Sequence, residues 1–393
     1  MNVDVPPTNK GETLDQWHAG PLEFEGQEAW RQRLKIDVSK QIRLRELAHM
    51  RYVHVDIPAI TQFLFGKTSQ FHRVDQKLTA AEDFGMTIAH ENEKRMYWKG
   101  YGPYPYVYVV EKGDKPGFLG GTFRVDSYTE LEKASKLPGA STITALDDEP
   151  WGGHMVTVYD PVGYPINLMY GQSMVSVKED AIPPPIVMNY EDRKDRLNAF
   201  QRFTQGPAAV HKLGHYGICY ANFNQAYDFW IRTFNLVPSD VVYAPSTPGD
   251  GKINVAAFLH IDLGEEHTDH HTFFLGASPR QRVHHCSFEV HDFDTQLLGH
   301  QWLERKGYKS VWGVGRHYLG SQIFDYWWDT TGFMIEVAVT ILLCIPILRL
   351  TLHFLQHYAD GDLVNCTTKV GLAAANDKAL SVWGPDRPID WIK

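Results

Sequence analysis

Two stretches of the chain share one pattern: YDPVGYPIN at residues 159–167 and WDTTGFMIE at residues 328–336. Each predicts a strand, a turn of the form Asp-x-x-Gly and a second strand, with the same spacing from the aspartate to the final polar residue. Upstream, GGTFRV at 120–125 parallels HCSFEV at 285–290, and a helix-like segment follows each. The two halves of the chain are therefore predicted to repeat one another.

Within each half the pattern predicts a strand, a helix and then several strands. In the second half the predicted elements are a strand at 217–220, an amphipathic helix at 224–236, strands at 253–262 and 271–275, a strand at 284–290 and a helix at 294–306. Since the cycle occurs twice in each half, we expect an α+β protein of four strand–helix–strands modules, paired into two domains.

The predicted boundaries follow from these modules and from changes in composition. The segments are an N-terminal leader at 1–45 that we expect to pack on the first domain, a first domain at 46–172, a linker at 173–211, a second domain at 212–336, a hydrophobic insertion at 337–356 and a C-terminal tail at 357–393. The linker is marked by Pro183-Pro184-Pro185 and a run of charged residues.

Composition excludes some classes of protein. The net charge of −9 over 393 residues argues against a nucleic-acid partner, because phosphate binding needs clustered Lys and Arg. The four cysteines show no CxxC spacing and suggest no disulfide framework, which favours a reducing compartment. The N-terminus lacks a basic-then-apolar signal pattern, so a cytoplasmic location is expected.

Candidate chemistry-bearing residues are concentrated in the second half. They are His215, His271, His285, His317, Tyr326 and Glu336. Two histidines and a carboxylate form the ligand set of a non-haem Fe(II) site with open positions, and the other residues are of types that move protons. A lone histidine at a strand start is more often a hydrogen-bonded core residue, so only the joint pattern favours a metal centre.

Comparison of the halves places the candidate metal site in one of them. His215 and His285 each lie at the head of a module's first strand, and Glu336 lies on the last predicted strand. At the equivalent positions of the first half, Gly120 replaces His285 and Asn167 replaces Glu336. The first half is therefore predicted to be a scaffold without metal.

At these positions the chain resembles the type I extradiol catechol dioxygenases of the vicinal-oxygen-chelate (glyoxalase/bleomycin resistance) superfamily. The matching motifs are LGH at 213–215, HHT at 270–272, VHHCSFEV at 283–290, GRH at 315–317, Tyr326 and GFMIE at 332–336. The resemblance implies paired βαβββ modules in two domains. It also implies Fe(II)- and O2-dependent cleavage of a catechol-type ring, although the same ligands suit Mn(II).

Carried over residue by residue, the resemblance implies a role for each candidate. His215, His285 and Glu336 would be the metal ligands, and His271 would be the acid–base residue near the O2 position. His317 and Tyr326 would hydrogen-bond the substrate oxygens. For His270 and His284 we expect structural or supporting roles. Trp230, Trp312, Trp327 and Trp328 are candidates for lining an apolar pocket or for the core.

The resemblance implies a small aromatic diol and O2 as substrates and a homo-oligomeric assembly. Within enzymes, a glyoxalase-type isomerase of the same superfamily is the alternative. Outside enzymes, the alternative is a binding protein without activity, which would be favoured if the protein holds no transition metal.

The segment VAVTILLCIPILRLTLHFLQ at 337–356 does not fit the repeat. Its length and hydrophobicity suit a membrane span or a buried helix, although Pro346, Arg349 and His353 argue against the span. Removing it joins Glu336 directly to His357, as in related sequences. It begins with Val, whose codons start with GT, and closes with Gln, one of whose codons ends in AG, so we interpret it as a retained intron. A membrane contact is expected only if the segment belongs to the mature protein.

Overall fold

The computed structural model describes residues 23–65, 83–177, 182–246, 251–331, 354–375 and 380–388. Within these ranges the α-helices are α1 (Gln27–Leu34), α2 (Ile57–Phe65), α3 (Tyr128–Ala134), α4 (Phe223–Thr233) and α5 (Phe293–Arg305), with a short 3-10 helix at Val38–Lys40. The strands of the first half are β1 (Glu23–Glu25), β2 (Leu44–His54), β3 (Thr87–Glu91), β4 (Arg95–Lys99), β5 (Tyr108–Lys112), β6 (Gly117–Val125), β7 (Thr144–Ala145), β8 (His154–Tyr159) and β9 (Pro165–Tyr170). Those of the second half are β10 (Val210–Tyr220), β11 (Leu236–Pro245), β12 (Lys252–Ile261), β13 (Thr268–Asp269), β14 (Phe273–Ala277), β15 (Arg282–Val290), β16 (Ser310–Arg316), β17 (Ile323–Trp328), β18 (Phe354–Ala359), β19 (Leu363–Val364) and β20 (Val370–Ala374).

Each half forms one large sheet built from two modules. The first sheet has the order β3-β4-β5-β2-β6-β9-β8-β7, and the second has the order β1-β20-β11-β12-β14-β10-β15-β18-β17-β16. In every module the last strand returns parallel to the first, as β5 does beside β2 and β18 does beside β15. The first strands of two modules pair antiparallel at the centre, β2 with β6 and β10 with β15. The predicted α+β fold of paired βαβββ modules is confirmed.

The two sheets correspond residue by residue at their centres. His49 pairs with Thr122 in the first sheet, and His215 pairs with Ser287 in the second. By the same register Gly120 takes the place of His285, as the sequence predicts. On the last strands, however, Thr122 pairs with Asn167 and Ser287 pairs with Gln356. The counterpart of Asn167 is thus Gln356, and Glu336, which was expected there, lies outside the described residues.

Helix α4 shows how the sequence builds the core. The Asn222 side chain accepts a hydrogen bond from the backbone N–H of Gln225 and so caps the N-terminus. Trp230 is fully buried, packs against the tilted ring of Phe273 and lies 6.4 Å from Phe123 in the first sheet, measured between ring centroids. One buried cluster therefore spans both halves. The helix ends at Thr233, three residues before the predicted end.

The leader packs differently from our expectation. Strand β1 pairs antiparallel with β20 at the edge of the second sheet, so the leader contacts the second half rather than only the first. Gln27 donates hydrogen bonds to the carbonyls of Asn365 and Thr368, and Arg31 forms an ion pair with Asp262 at 2.6 Å. An exposed sheet edge has unpaired backbone groups, and this pairing satisfies them.

No helix within the described ranges is long and apolar enough to cross a membrane. Most of the hydrophobic segment 337–356 lies outside those ranges. Its last three residues belong to strand β18, so the alternative of a buried helix is wrong for this part of the segment.

Candidate active site

Four neighbouring strands of the second sheet bring the candidate residues to one face. His215 on β10 pairs with Ser287 on β15, Ser287 pairs with Gln356 on β18, and Gln356 pairs with Tyr326 on β17. Directly paired residues point to the same face of a sheet, and residues two apart on a strand do so as well. His285, two residues before Ser287, therefore joins this row.

His215 and His285 are arranged as two neighbouring ligands of one metal ion. Their Nε2 atoms are 3.1 Å apart, and both side chains are buried. Two nitrogens that bind one ion at about 2.1 Å and at right angles are separated by about 3 Å. Burial lowers the pKa of His215 well below its ordinary value, and the neighbouring histidines lower it further. A neutral imidazole is the form that binds a metal.

His284 contacts the far side of this pair. Its Nδ1 lies 2.7 Å from Nδ1 of His285, which leaves Nε2 of His285 directed at His215. A hydrogen bond on the second ring nitrogen fixes the orientation and tautomer of a metal-binding imidazole. This contact supports our expectation that His284 orients a neighbouring ligand and does not bind the metal itself.

The third side chain beside the two imidazoles is an amide. Gln356 is fully buried, and its amide lies close enough to His215 and Tyr326 to shift the pKa of each. No group of three or more His, Cys, Asp or Glu side chains in the described part of the chain is placed to hold a metal ion. The histidine pair fits the implied metal, whereas the carboxylate assigned to Glu336 falls outside the described residues.

His271 lies next to the pair and is connected to the protein surface. Its ring centroid is 4.0 Å from that of His215. Nδ1 of His271 is 3.2 Å from Nδ1 of His270, and Nε2 of His270 is 2.7 Å from a carboxylate oxygen of Asp240. Asp240 is partly exposed. These three side chains form a continuous path from the site to solvent.

Sequence reasoning missed Asp240. The only signal was its position: a charged residue within the otherwise apolar stretch LVPSDVVYAP at 236–245, which forms β11. A charge within such a strand needs a polar partner, and the partner here is His270.

His317 and Tyr326 form the opposite wall. Nε2 of His317 lies 3.0 Å from the Tyr326 hydroxyl, and Nδ1 of His317 lies 2.6 Å from the carbonyl of Leu380. Burial lowers the pKa of His317 to about 4 and raises the pKa of Tyr326 well above its ordinary value. Both side chains are therefore neutral near pH 7, and because a carbonyl can only accept, Nδ1–H of His317 donates to Leu380 while Nε2 accepts from the Tyr326 hydroxyl.

These residues enclose a small cavity of about 50 Å³, well below the roughly 300–1,000 Å³ of most small-molecule sites. Its apolar walls are Phe258, Phe274, Leu319 and Leu380. No tryptophan among the residues that the structure describes lines it: Trp230 belongs to the core, and Trp312 packs behind Tyr326. Gln322, also missed from the sequence, lines the cavity with a buried amide that has no hydrogen-bond partner among the described residues.

The model of the Glyoxalase/Bleomycin resistance protein/Dioxygenase superfamily matches residues 212–337. The chain is 30% identical over 146 residues to metapyrocatechase 2 from Cupriavidus necator; the match covers 37% of this chain and 38% of that relative. It therefore spans well under half the length of the curated relative.

Solved structures show the same fold. One is a homoprotocatechuate 2,3-dioxygenase from Arthrobacter globiformis, with a TM-score of 0.64 and 15% identity, covering 90% of this chain and 91% of that one. Another is a Mn(II)-bound glyoxalase from Novosphingobium aromaticivorans, with a TM-score of 0.63 and 16% identity, covering 88% and 93%. Residues 212–337 therefore match the glyoxalase/bleomycin resistance protein/dioxygenase superfamily, and the chain shares its fold with an extradiol dioxygenase and a glyoxalase of known structure.

Proposed function

We propose that this protein is an extradiol dioxygenase that opens the ring of a catechol-type substrate beside its two hydroxyl groups, inserting both atoms of O2. The observation that carries the proposal is the convergence of two kinds of side chain on one cavity. His215 and His285 are paired at metal-ligand spacing, and His271, His317 and Tyr326 surround them. A metal site with proton-handling groups on several sides suits a substrate that must lose phenolic protons.

We assign His215 and His285 as ligands of a divalent metal, Fe(II) in the first instance, with Mn(II) compatible with the same donors. Glu336 remains the third ligand predicted from the sequence. Bound Fe(II) supplies the redox chemistry that lets O2 react with an electron-rich diol. The protein contributes a partly apolar cavity and fixed donors.

His271 is assigned as the residue that accepts a proton during the reaction and returns it before the ring opens. Its second ring nitrogen faces His270, so the imidazole is held in one orientation. The Asp240 carboxylate accepts a hydrogen bond from Nε2 of His270 and so fixes the His270 ring beside His271.

His317 and Tyr326 are assigned to the substrate oxygens. The Tyr326 hydroxyl donates to Nε2 of His317 in the free site, and on turning toward the substrate it would donate to a phenolate oxygen without adding a formal charge. Phe258 and Phe274 supply apolar surface for the ring carbons. Gln322 is placed to bond a polar substituent of the ring.

The test uses the full chain and a variant that lacks 337–356, each loaded anaerobically with Fe(II) and offered a panel of catechols in ¹⁸O2. We expect oxygen uptake, a yellow ring-fission product and two labelled oxygen atoms in that product. His215→Ala should abolish metal binding and uptake, whereas His49→Ala, at the equivalent position of the first sheet, should retain both.

Metal binding without oxygen uptake on any diol, in both proteins, would contradict the proposal. The Mn(II)-bound glyoxalase of similar fold makes isomerisation of a 2-oxoaldehyde–thiol adduct the specific alternative. That adduct belongs in the same panel, and its turnover in place of the diols would favour the isomerase.

A further inference from the structure

We propose that Gln356 is the third protein ligand of the metal centre in the full chain, where the sequence had predicted Glu336. A carboxylate placed at position 356, rather than at position 336, would then complete a site of two histidines and one carboxylate. The inference rests on the proposed function for the identity of the centre as a divalent-metal site. It depends on which residue of strand β18 faces His215 and His285.

The position of Gln356 follows from two independent pairings. Parallel pairing places it opposite Ser287, two residues from His285, and antiparallel pairing places it opposite Tyr326. His215 reaches the same face through its own pairing with Ser287. Gln356 therefore lies on the metal-facing side of the sheet, between a ligand strand and the strand of Tyr326.

The amide of Gln356 lies beside His215 and Tyr326, but neither its oxygen nor its nitrogen makes a hydrogen bond of good geometry within the described residues. Its side chain is fully buried. A buried amide whose hydrogen bonds are poorly aligned costs free energy, so such a group in a core can gain a better partner. A divalent cation between the imidazoles would give the amide oxygen that partner.

The first sheet provides an internal comparison. Its equivalent residue, Asn167, accepts a hydrogen bond from Thr157 at 2.8 Å and donates one to the carbonyl of Leu119 at 2.8 Å. In the half without a second histidine the amide makes two well-aligned hydrogen bonds, whereas in the half with the histidine pair its contacts are poorly aligned. The difference favours a ligand role for Gln356.

The consequence is a donor set without negative charge. Two imidazoles and an amide coordinate a cation through neutral donor atoms, whereas a carboxylate adds direct charge attraction. We therefore expect the full chain to bind Fe(II) weakly and Gln356→Glu to bind it at least about tenfold more tightly, since a carboxylate is the stronger oxygen ligand for such a cation.

The experiment measures the anaerobic dissociation constants of Fe(II) and of Co(II), together with the visible spectrum of bound Co(II), in four full-length proteins. These are the parent, Gln356→Glu, Glu336→Gln and His215→Ala. Supporting results are tighter binding and an altered Co(II) spectrum in Gln356→Glu, with no change in Glu336→Gln. Loss of affinity in Glu336→Gln without a gain in Gln356→Glu would overturn the inference, and so would no change in either variant.

The His215→Ala protein separates this inference from the proposed function. If its affinity equals that of the parent and of Gln356→Glu, no metal site exists at the histidine pair, and the proposed function fails with the inference. If metal binding requires His215 and its affinity changes with substitution of residue 336 rather than residue 356, only the inference fails. Thermal unfolding of each variant identifies any that fails to fold, and Gln356→Asp then replaces Gln356→Glu.

Discussion

His271 differs from the two histidines beside it in what its ring nitrogens contact. His215 and His285 approach each other through Nε2, whereas Nδ1 of His271 faces His270. Its ring nevertheless lines the same cavity. This geometry suits a group that exchanges protons and does not hold the metal.

We therefore predict that His271→Ala retains the metal and binds a catechol but loses ring cleavage by about 10²–10⁴-fold, the usual contribution of a positioned acid–base group. Anaerobic titration of the diol followed by mixing with O2 separates the binding step from the reaction. Loss of metal from the variant would instead make His271 a ligand and would contradict our assignment.

At the scale of single residues, the sequence predicted which side chains line the site better than it predicted which side chains they contact. The five candidates that the structure describes, His215, His271, His285, His317 and Tyr326, line one cavity. The third metal ligand could not be settled from the pattern, because FMIE at 333–336 and HFLQ at 353–356 both end in an acid or amide after apolar residues. Which of them pairs with β15 depends on strand register, which is decided by contacts distant in sequence.

Strand β18 is the element on which the site depends. It lies between β15 and β17 and carries Gln356, and its next residue, His357, is buried and contacts the carbonyl of Phe84 at 2.8 Å. That contact ties the strand to the first half of the protein. Any sequence that supplies the residues before His357 is thereby placed beside the histidine pair.

Deleting 337–356 joins Glu336 to His357 and places a carboxylate at the strand position of Gln356. We predict that this variant binds Fe(II) at least about tenfold more tightly than the full chain, because a charged ligand replaces a neutral one. Titration under anaerobic conditions measures the difference. The matched control is the same deletion with Glu336→Gln, which should return the affinity to that of the full chain. Equal affinity of both deletion variants would contradict the prediction.

Sequencing the transcript across the same junction tests the retained-intron interpretation directly. We expect the dominant mature message to lack the codons for 337–356. Finding them there would show that the segment belongs to the protein and would rule that interpretation out.

Elements with a single strong pattern were predicted closely, and those shaped by tertiary contacts were not. Helix α5 begins and ends within one residue of its predicted bounds, because its apolar period is clear and Asp292 caps it. Strand β11 was not predicted, since Pro238, Ser239 and Asp240 interrupt its apolar run. The position of β1 could not be predicted, because its partner β20 lies at the other end of the chain.

On the scale of the whole molecule, the first sheet contains an ion pair that links stability to pH. Arg51 and Glu149 are both buried and form two hydrogen bonds of 2.6 and 2.9 Å. Burial tends to raise the pKa of Glu149, but the hydrogen bonds and charges of Arg51 and Arg95 outweigh it, so the net pKa is lowered. A lowered pKa means that the folded state holds the carboxylate charged more strongly than the unfolded state does.

The contribution of Glu149 to stability is therefore present above its unfolded pKa, near 4.5, and is lost as the pH falls through its lower folded value. We predict that Glu149→Gln destabilises the protein at pH 7 by about 3–5 kcal/mol, because Arg51 is left buried without its partner. It should also flatten the fall in stability below pH 4.5. Denaturant unfolding over a pH series measures both effects.

Glu91→Gln is the control, because Glu91 pairs with Lys112 at the surface. It should cost no more than about 1 kcal/mol. A similar loss of stability in the two variants would show that the cost of Glu149→Gln does not come from burial of the Arg51–Glu149 pair.

Gly120, in the half without the histidine pair, prevents a simple substitution from creating a second histidine pair in the first sheet. Its φ is +100°, and a Cβ there would lie 2.5 Å from the carbonyl oxygen of Pro165 and 2.9 Å from Nδ2 of Asn167. Histidine cannot return to this position unless the backbone of β9 moves first. If the halves descend from one duplicated ancestor, a single substitution at Gly120 cannot give the first half a second histidine. The difference between the halves is therefore hard to reverse. Selection for a second reaction centre would have to act on the half that still holds both histidines.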